Sequence, residues 1–363
     1  MDDNMYHQFF GLQKEPFSMT PDPALLYLTV AHREALAGLS YSILSRKGFV
    51  VLTGDAGTGK TTLLSRIFQS IPSTRALFSV VLNPTLTPSE FLELALLDFG
   101  IEDIPASKAQ RLVLLERFLT EAYRKQQVPV LVVDEAHKLS PEVMEEIRLL
   151  SNFELAESKL LQIVLAGQTE LGALLNRVDL RQLKQRIAVR LAIHPLSLSD
   201  VHHYIQHRWQ KAGATQPHPF HPDAVNRIAQ VSRGIPRLVN AICDNALTLA
   251  YGEGNKDIGT AEIAEVASDL DLLDSHSRAP QAGQSPGADP MRVDRSAKAP
   301  DAANGLPTAS GYRTAHGTEP LSLPLSGPGT VPTLERYETN ATKPSLLARL
   351  ANKLRGSRST QYI

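Results

Sequence analysis

From the start of the chain to about residue 273, short unbroken apolar runs alternate with longer stretches in which apolar residues recur every three to four positions. Unbroken runs of four to eight apolar residues read as buried strands, and the longer-period stretches read as helices with one buried face. Four such runs stand out: Gly48 to Thr53 (GFVVLT), Ala76 to Leu82 (ALFSVVL), Pro129 to Asp134 (PVLVVD) and Leu160 to Ala166 (LLQIVLA). Strands without polar alternation need cover on both faces, so the pattern predicts an α/β fold with a mostly parallel sheet between helices. A fifth candidate, Ile187 to Ile193 (IAVRLAI), is followed by Pro195, and beyond it the strand pattern stops. Ser199 to about Leu273 reads as helices alone, broken by glycine and proline near Gly213 to Pro222, Arg233 to Pro236 and Gly252 to Gly259. A small all-helical domain is therefore expected after the α/β one.

After about His276 the composition shifts to Pro, Ala, Gly, Ser and Thr, as in APQAGQSPGADP and LSLPLSGPGTVPTL. Such segments bury too little apolar surface to offset chain entropy, so a disordered linker is expected. Near the end, Pro344 to Arg355 (PSLLARLANKLR) places Leu346, Leu347, Leu350 and Leu354 on one helical face, with Arg349, Lys353 and Arg355 elsewhere. That amphipathic helix is expected to dock on a membrane surface or in a partner's groove. The expected organisation is an N-terminal segment with the first core helix (1–47), the α/β domain (48–196), the helical domain (197–273), the linker (274–343) and the terminal helix (344–356).

Charge adds little of its own. The 37 basic and 38 acidic residues give a formal net charge of -1, so no whole-molecule field draws the protein to nucleic acid or an anionic bilayer. Any such binding must come from a local patch. The single cysteine, Cys243, lies in the helical-looking stretch Leu238 to Tyr251 and rules out disulfides within the chain, which fits a reducing compartment. The opening MDDNMYHQFFGL carries two aspartates where a leader needs positive charge, and no run of about 18 apolar residues follows. A cytoplasmic protein is expected.

The chemistry concentrates after the first strand. Gly54-Asp55-Ala56-Gly57-Thr58-Gly59-Lys60-Thr61, followed by Thr62, is a glycine-rich loop directly after a predicted strand and before a helical pattern, which is the context the phosphate-binding P-loop requires. Glycines 54, 57 and 59 let the backbone turn tightly and aim its N–H groups at an anion near a helix N-terminus. Lys60 is expected at the β- and γ-phosphates of ATP, with the Thr61 hydroxyl on Mg²⁺.

Val130 to Glu135 (VLVVDE) is an apolar strand ending in two carboxylates, which emerge at the carboxyl edge of the sheet where ligands of open α/β folds bind. Asp134 is expected to hold Mg²⁺ through water, and Glu135 to orient and polarise the attacking water. With Ala136 and His137 the letters read DEAH, which also mark one group of helicases. Those enzymes resemble two fused ATPase cores, a plan this chain does not follow. His137 reads as a polar residue on the exit loop. Gln168, at the end of the strand Leu160 to Ala166, is the candidate polar sensor of hydrolysis. In Ser232 to Asn240 (SRGIPRLVN) a helix starts with an early proline and carries Arg237, placed to fold over the nucleotide.

Together the opening MYHQFFGLQKEPFSMTPDPALLYLTVAHREAL, the loop GDAGTGKTT, the box VLVVDEAHKL and the segments LLQIVLAGQTEL, LRQLKQRI and GIPRLVNAICDNAL resemble AAA+ ATPases of the general secretion pathway protein A (ExeA-like) family, over roughly Met5 to Leu270. The resemblance implies an AAA+ parallel sheet, with the helical domain acting as a lid. It also implies an oligomer with ATP sites shared between subunits, and service to envelope assembly in secretion, pilus biogenesis or polysaccharide export. It further implies that the segment around Tyr27 to Glu34 lies near the adenine. The basic stretch Leu180 to Ile187 would supply an arginine finger to the neighbouring subunit, with Arg186 favoured over Arg181 and Arg190. Secretion members continue into a transmembrane helix and a periplasmic peptidoglycan-binding domain. No such pattern follows here, which points to the soluble relatives, cytoplasmic or peripheral at the inner membrane. The same core also resembles transposition regulators that bind DNA, where Arg181, Lys184, Arg186 and Arg190 could face a duplex. A nucleotide-dependent scaffold with negligible turnover is a third reading.

Overall fold

The computed structural model describes residues 5–20, 25–82, 85–155 and 158–272. The expected linker and the terminal helix (344–356) lie outside them. In chain order the elements are α1 (Met5–Phe10), α2 (Val30–Leu44), β1 (Phe49–Gly54), α3 (Lys60–Ser70), β2 (Ala76–Val81), α4 (Pro88–Asp98), α5 (Lys108–Arg124), β3 (Val128–Val133), α6 (Pro141–Leu150), the short hairpin strands β4 (Glu154–Leu155) and β5 (Ser158–Lys159), and β6 (Gln162–Gly167). They continue with α7 (Glu170–Leu174), α8 (Arg181–Gln185), β7 (Ile187–Ile193), α9 (Leu198–Lys211), α10 (Pro222–Ser232), α11 (Pro236–Gly252) and α12 (Thr260–Asp269).

Five strands form one sheet in the order β2-β3-β6-β1-β7, and every pairing is parallel. β1, β3 and β6 are buried along nearly their whole lengths, as their unbroken apolar sequences require. Because side chains alternate, Phe49, Val51, Leu131, Val133, Ile163 and Leu165 face a core shared with α4, α5 and α6. Helices α2 and α3 contact the sheet at β7, β3 and β1. The edge strand β7 alternates between half-buried and exposed residues over most of its length, since it has one strand neighbour. The hydrophobic pattern thus places all five strands to within two residues of their observed ends, and β7 without error.

A second core lies among α9 to α12, around Trp209, Val225, Ile228, Val239, Ile242 and Cys243. Ser197 starts α9 with a capping box completed by Asp200. Sequence alone groups residues 1–47 together, but the structure divides them. α2 packs on β7, whereas Phe10, Leu12 and Phe17 enter the helical core. There the Arg208 Nε donates to the Pro16 carbonyl at 2.6 Å, and the Tyr6 hydroxyl donates to Asp244 at 2.6 Å. Aromatic residues this dense in a short leading segment seek burial wherever an apolar face is open, and strand or helix period carries no signal of which face that is.

The joint between the two cores is tight. Leu196 N–H donates to the Gly234 carbonyl at 2.7 Å, Gly234 has φ +71°, and a Cβ there would lie 2.0 Å from the Leu196 carbonyl oxygen. Gly234→Ala is therefore expected to cost at least about 1–3 kcal/mol. An unfolding midpoint in urea unchanged from wild type would contradict this.

Candidate nucleotide site

β1 ends at Gly54, and the chain reverses through a five-residue loop into α3, whose N-cap is Gly59. Gly57 has φ +80°, and a Cβ at this position would lie 2.8 Å from the Arg237 Cβ and 3.1 Å from the Ile235 Cγ2. Only glycine fits, because the start of α11 closes on the loop, with the Arg237 N–H 3.4 Å from the Gly57 carbonyl. The first turn of a helix leaves N–H groups without intrahelical acceptors. Among the described residues, the N–H groups of Gly57, Gly59, Lys60 and Thr61 meet no hydrogen-bond acceptor. A cradle of unpaired donors at a helix start suits a phosphate chain.

Lys60 is 5% exposed. Its Nζ folds back onto the carbonyls of Gly54 and Asp55, at 2.8 and 2.9 Å. Burial pulls its pKa below the usual lysine value, and the charges of Glu135, Asp134, Asp55 and Glu170 oppose that fall. Beside it the Thr61 hydroxyl donates to Asp134 Oδ2 at 2.6 Å. Asp134 is 4% exposed, and its other oxygen accepts the Glu135 N–H at 2.9 Å. Burial raises the Asp134 pKa, while the bonds from Thr61 and Glu135 work against the rise. A hydroxyl and a carboxylate in contact form a hard-oxygen pair of the kind Mg²⁺ selects. Among the described residues, no group of three or more His, Cys, Asp or Glu forms a separate metal cluster.

Glu135 sits in the left-handed region, at φ +53° and ψ +32°, a strained conformation for a residue with a Cβ. Its carboxylate lies 3.2 Å from Lys138 Nζ and 3.6 Å from His137 Nε2. The Gln168 N–H donates to His137 Nδ1 at 3.3 Å. That bond fixes the ring so that Nε2 carries the proton toward Glu135. His137 thus links the strand ends of β3 and β6, a connection that its sequence position on an exit loop did not show. Gln168 follows Gly167, which pairs with Thr53, so it stands at the carboxyl edge beside the loop.

A family model described as an AAA domain matches residues 43–175. General secretion pathway protein A of Aeromonas hydrophila is 42% identical over 267 residues, which cover 73% of this chain and 48% of that protein. Residues 43–175 carry an AAA domain, and the fold around it is that of AAA+ proteins. The chain is a homologue of general secretion pathway protein A and spans about half of that protein's length. The ATP-dependent target DNA activator B of Escherichia phage Mu is 28% identical over 69% of this chain and 77% of its own. Among solved structures, Cdc6p from Pyrobaculum aerophilum superposes with a TM-score of 0.56 at 17% identity, over 71% of this chain and 72% of that one. At that identity the likeness concerns the fold.

The chain does not bring all of its candidate residues to the loop. Arg186 precedes β7 at the amino edge of the sheet, where its Nη1 donates to Ser151 Oγ at 3.0 Å. A six-residue strand separates that edge from the loop by about 17–20 Å. Arg181 and Lys184 are exposed on α8, and Arg190 is exposed on β7 beside Val51. None of these reaches Lys60 of its own chain. In the segment Tyr27 to Glu34, Tyr27 packs its ring toward Tyr204 and His207 of α9, while His32 reaches the loop at the Thr58 carbonyl.

His32 is a contact that sequence reasoning did not single out. It is 6% exposed, and its Nδ1 lies 2.6 Å from the Thr29 hydroxyl. Its Nε2 lies 3.3 Å from the Thr58 carbonyl of the loop. Burial lowers its pKa, as it does for His207 and His218 in the helical part. A depressed histidine stabilises the fold above its unfolded value near 6.5, and that contribution is lost as pH falls through the lower folded value. Asp134, raised by burial, acts in the opposite sense, its contribution fading as pH climbs out of the carboxylate range. The melting temperature is therefore expected to drop as pH falls from about 7 to about 5, with a shallower slope in His32→Gln. Identical slopes in the two proteins would remove His32 from the account.

Proposed function

We propose that the chain is a Mg²⁺-dependent ATPase that works as an oligomer and drives assembly of a cell-envelope secretion, pilus or polysaccharide export machine. The observation that carries the ATPase reading is the Thr61 to Asp134 contact of 2.6 Å, with buried Lys60 on one side and Glu135 on the other. Bound Mg²⁺ would supply charge neutralisation to the phosphates. Lys60 would exchange the Gly54 and Asp55 carbonyls for phosphate oxygens. Thr61 and Asp134 would hold the ion, and the N–H groups of Gly57, Gly59, Lys60 and Thr61 would cradle the phosphates. Glu135 would orient water and accept its proton, and the Gln168 amide would stand beside the transferred group. Arg237, at the start of α11, would carry the nucleotide state into the helical lid. Arg186 would act on the nucleotide of the neighbouring subunit.

The envelope role rests on the 42% identity to general secretion pathway protein A. We infer a location at the cytoplasmic face of the inner membrane. Among the described residues no helix is long and apolar enough to cross a membrane. The likeness to the phage DNA activator supports a second reading, a DNA-bound ATPase of the transposition-regulator type.

Two measurements test the proposal. Purified protein is expected to release phosphate from ATP with Mg²⁺ and not with EDTA, and absence of turnover would leave only a scaffold role. In cells lacking the gene, wild type is expected to restore export-machine assembly and Lys60→Ala to fail. Full rescue by Lys60→Ala would sink the motor reading, and tight ATP-dependent duplex binding that weakens steeply with salt would favour the DNA one.

A further inference from the structure

The amino edge of the sheet, opposite the nucleotide loop, is basic. The segments leading into the strands bring Arg75 before β2, Arg124 before β3, Lys159 before β6, Arg46 and Lys47 before β1, and Arg186 before β7. Lys47, Lys159 and Arg186 line one cleft of about 540 Å³, with Glu154 the one carboxylate among the described residues of its lining. Two of the three cations are held in place by the fold. Arg186 Nη1 donates to Ser151 Oγ at 3.0 Å and lies 3.4 Å from the Ser151 carbonyl. Lys159 ends the β4–β5 hairpin, and its stem crosses Gly48, which has φ +91° and where a Cβ would lie 3.3 Å from Lys159 Cγ. The Gln162 side chain, 1% exposed, locks this crossing. It accepts the Gly48 N–H at 2.7 Å and donates to the Lys159 carbonyl at 3.1 Å. Lys47 is turned away, its ammonium 5.5 Å from the Tyr41 ring. The Lys159 ammonium pairs with Glu154, and its pKa falls below the usual lysine value, through burial first and the charge of Arg186 second. Like charges this close favour an anion between them.

We propose that Lys159 is a second catalytic cation, which touches the γ-phosphate of the neighbouring subunit's nucleotide beside Arg186. It takes this role only if Arg186 serves that nucleotide, the reading on which it rests. The neighbour's nucleotide edge carries Asp55, Asp134, Glu135 and Glu170 around Lys60. A head-to-tail contact therefore sets a basic edge against an acidic one. In phosphoryl transfer the charge spreads over three equatorial oxygens. Arg186 offers them a planar fork and Lys159 a compact charge. Because its stem is already packed over Gly48, Lys159 loses little rotamer freedom on binding. In the assembled site it exchanges Glu154 for phosphate; it forms and breaks no covalent bond.

Lys159→Met keeps the stem over Gly48 and removes the charge. Its unfolding midpoint and its own nucleotide affinity are expected to match wild type, while ATP turnover falls about 10²- to 10³-fold. Mixed equally with Glu135→Gln protein, it is expected to return about a quarter of wild-type turnover. Mixed with Arg186→Ala protein, it is expected to return nothing beyond the two components, since both lesions lie on the same donating face. The double variant Lys159→Met/Arg186→Ala is expected to assemble on a non-hydrolysable triphosphate analogue less well than Arg186→Ala alone. Equal assembly would reduce Lys159 to a support for Arg186 and overturn the proposal. Wild-type turnover in Lys159→Met, or recovery on mixing with Arg186→Ala, would do the same. If Glu135→Gln and Arg186→Ala recover together but Lys159→Met and Glu135→Gln do not, the shared site stands and Lys159 is no part of it. If neither pair recovers, both fall.

Discussion

Glu135→Gln is expected to leave nucleotide affinity intact and to lower ATP turnover by about 10²- to 10⁴-fold. The residue is positioned for this by three independent contacts. The backbone is held in the left-handed region by the bond from its own N–H to Asp134 at 2.9 Å. The carboxylate is oriented by Lys138 and His137, and His137 is itself fixed by the Gln168 N–H. Glutamine keeps the shape and the backbone bond but cannot accept a proton from water. Nucleotide affinity measured by equilibrium titration should therefore match wild type while phosphate release collapses. If affinity falls in step with turnover, Glu135 supports the loop's structure and is not the base.

Arg186→Ala is expected to lower turnover by about 10³- to 10⁵-fold, the range of a missing arginine finger. The loss should be accompanied by unchanged binding of nucleotide in the same chain, because Arg186 lies at the amino edge, about 17–20 Å of strand away from the loop. Its guanidinium is steadied by Ser151 at the end of α6 and no carboxylate pairs with it among the described residues. Turnover should also rise more than linearly with protein concentration in wild type, since an isolated chain lacks the finger. A variant with wild-type turnover would make Arg186 a strut between α6 and β7 only, and would return attention to Arg181 and Arg190.

The core of the site was legible because its parts are local in sequence. The loop Gly54 to Thr61 lies directly between a strand and a helix, and Asp134 and Glu135 directly end another strand. Parallel strands carry their carboxyl ends to one edge, so reading two strand ends suffices to bring Thr61 and Asp134 together. His32 and His137 were not legible. Each acts through a single ring nitrogen on a backbone group distant in sequence, Thr58 or Gln168, and no spacing rule encodes such a contact. The destination of Phe10, Leu12 and Phe17 was likewise hidden, because apolar residues announce burial but not the surface that buries them. The close approach of α11 to the loop left one trace in the sequence, the glycine at 57, which reads equally as a requirement of the phosphate turn.

The basic amino edge was invisible for a different reason. Arg46, Arg75, Arg124, Lys159 and Arg186 are scattered over 140 residues, and only the strand order β2-β3-β6-β1-β7 lines them up. Net charge near zero conceals the pattern because the opposite edge carries Asp55, Asp134, Glu135 and Glu170 around Lys60. The sheet is thus electrically polar from edge to edge, with the nucleotide chemistry at the acidic end.

In the proposed oligomer, one nucleotide site is built from two subunits. This arrangement is tested most directly by mixing Glu135→Gln protein with Arg186→Ala protein and measuring ATP hydrolysis. Each variant alone is expected to be nearly inactive. In a random equal mixture, about a quarter of the interfaces pair an intact Glu135 with an intact Arg186, so about a quarter of wild-type activity should return. A mixture as inactive as its components would contradict the shared site.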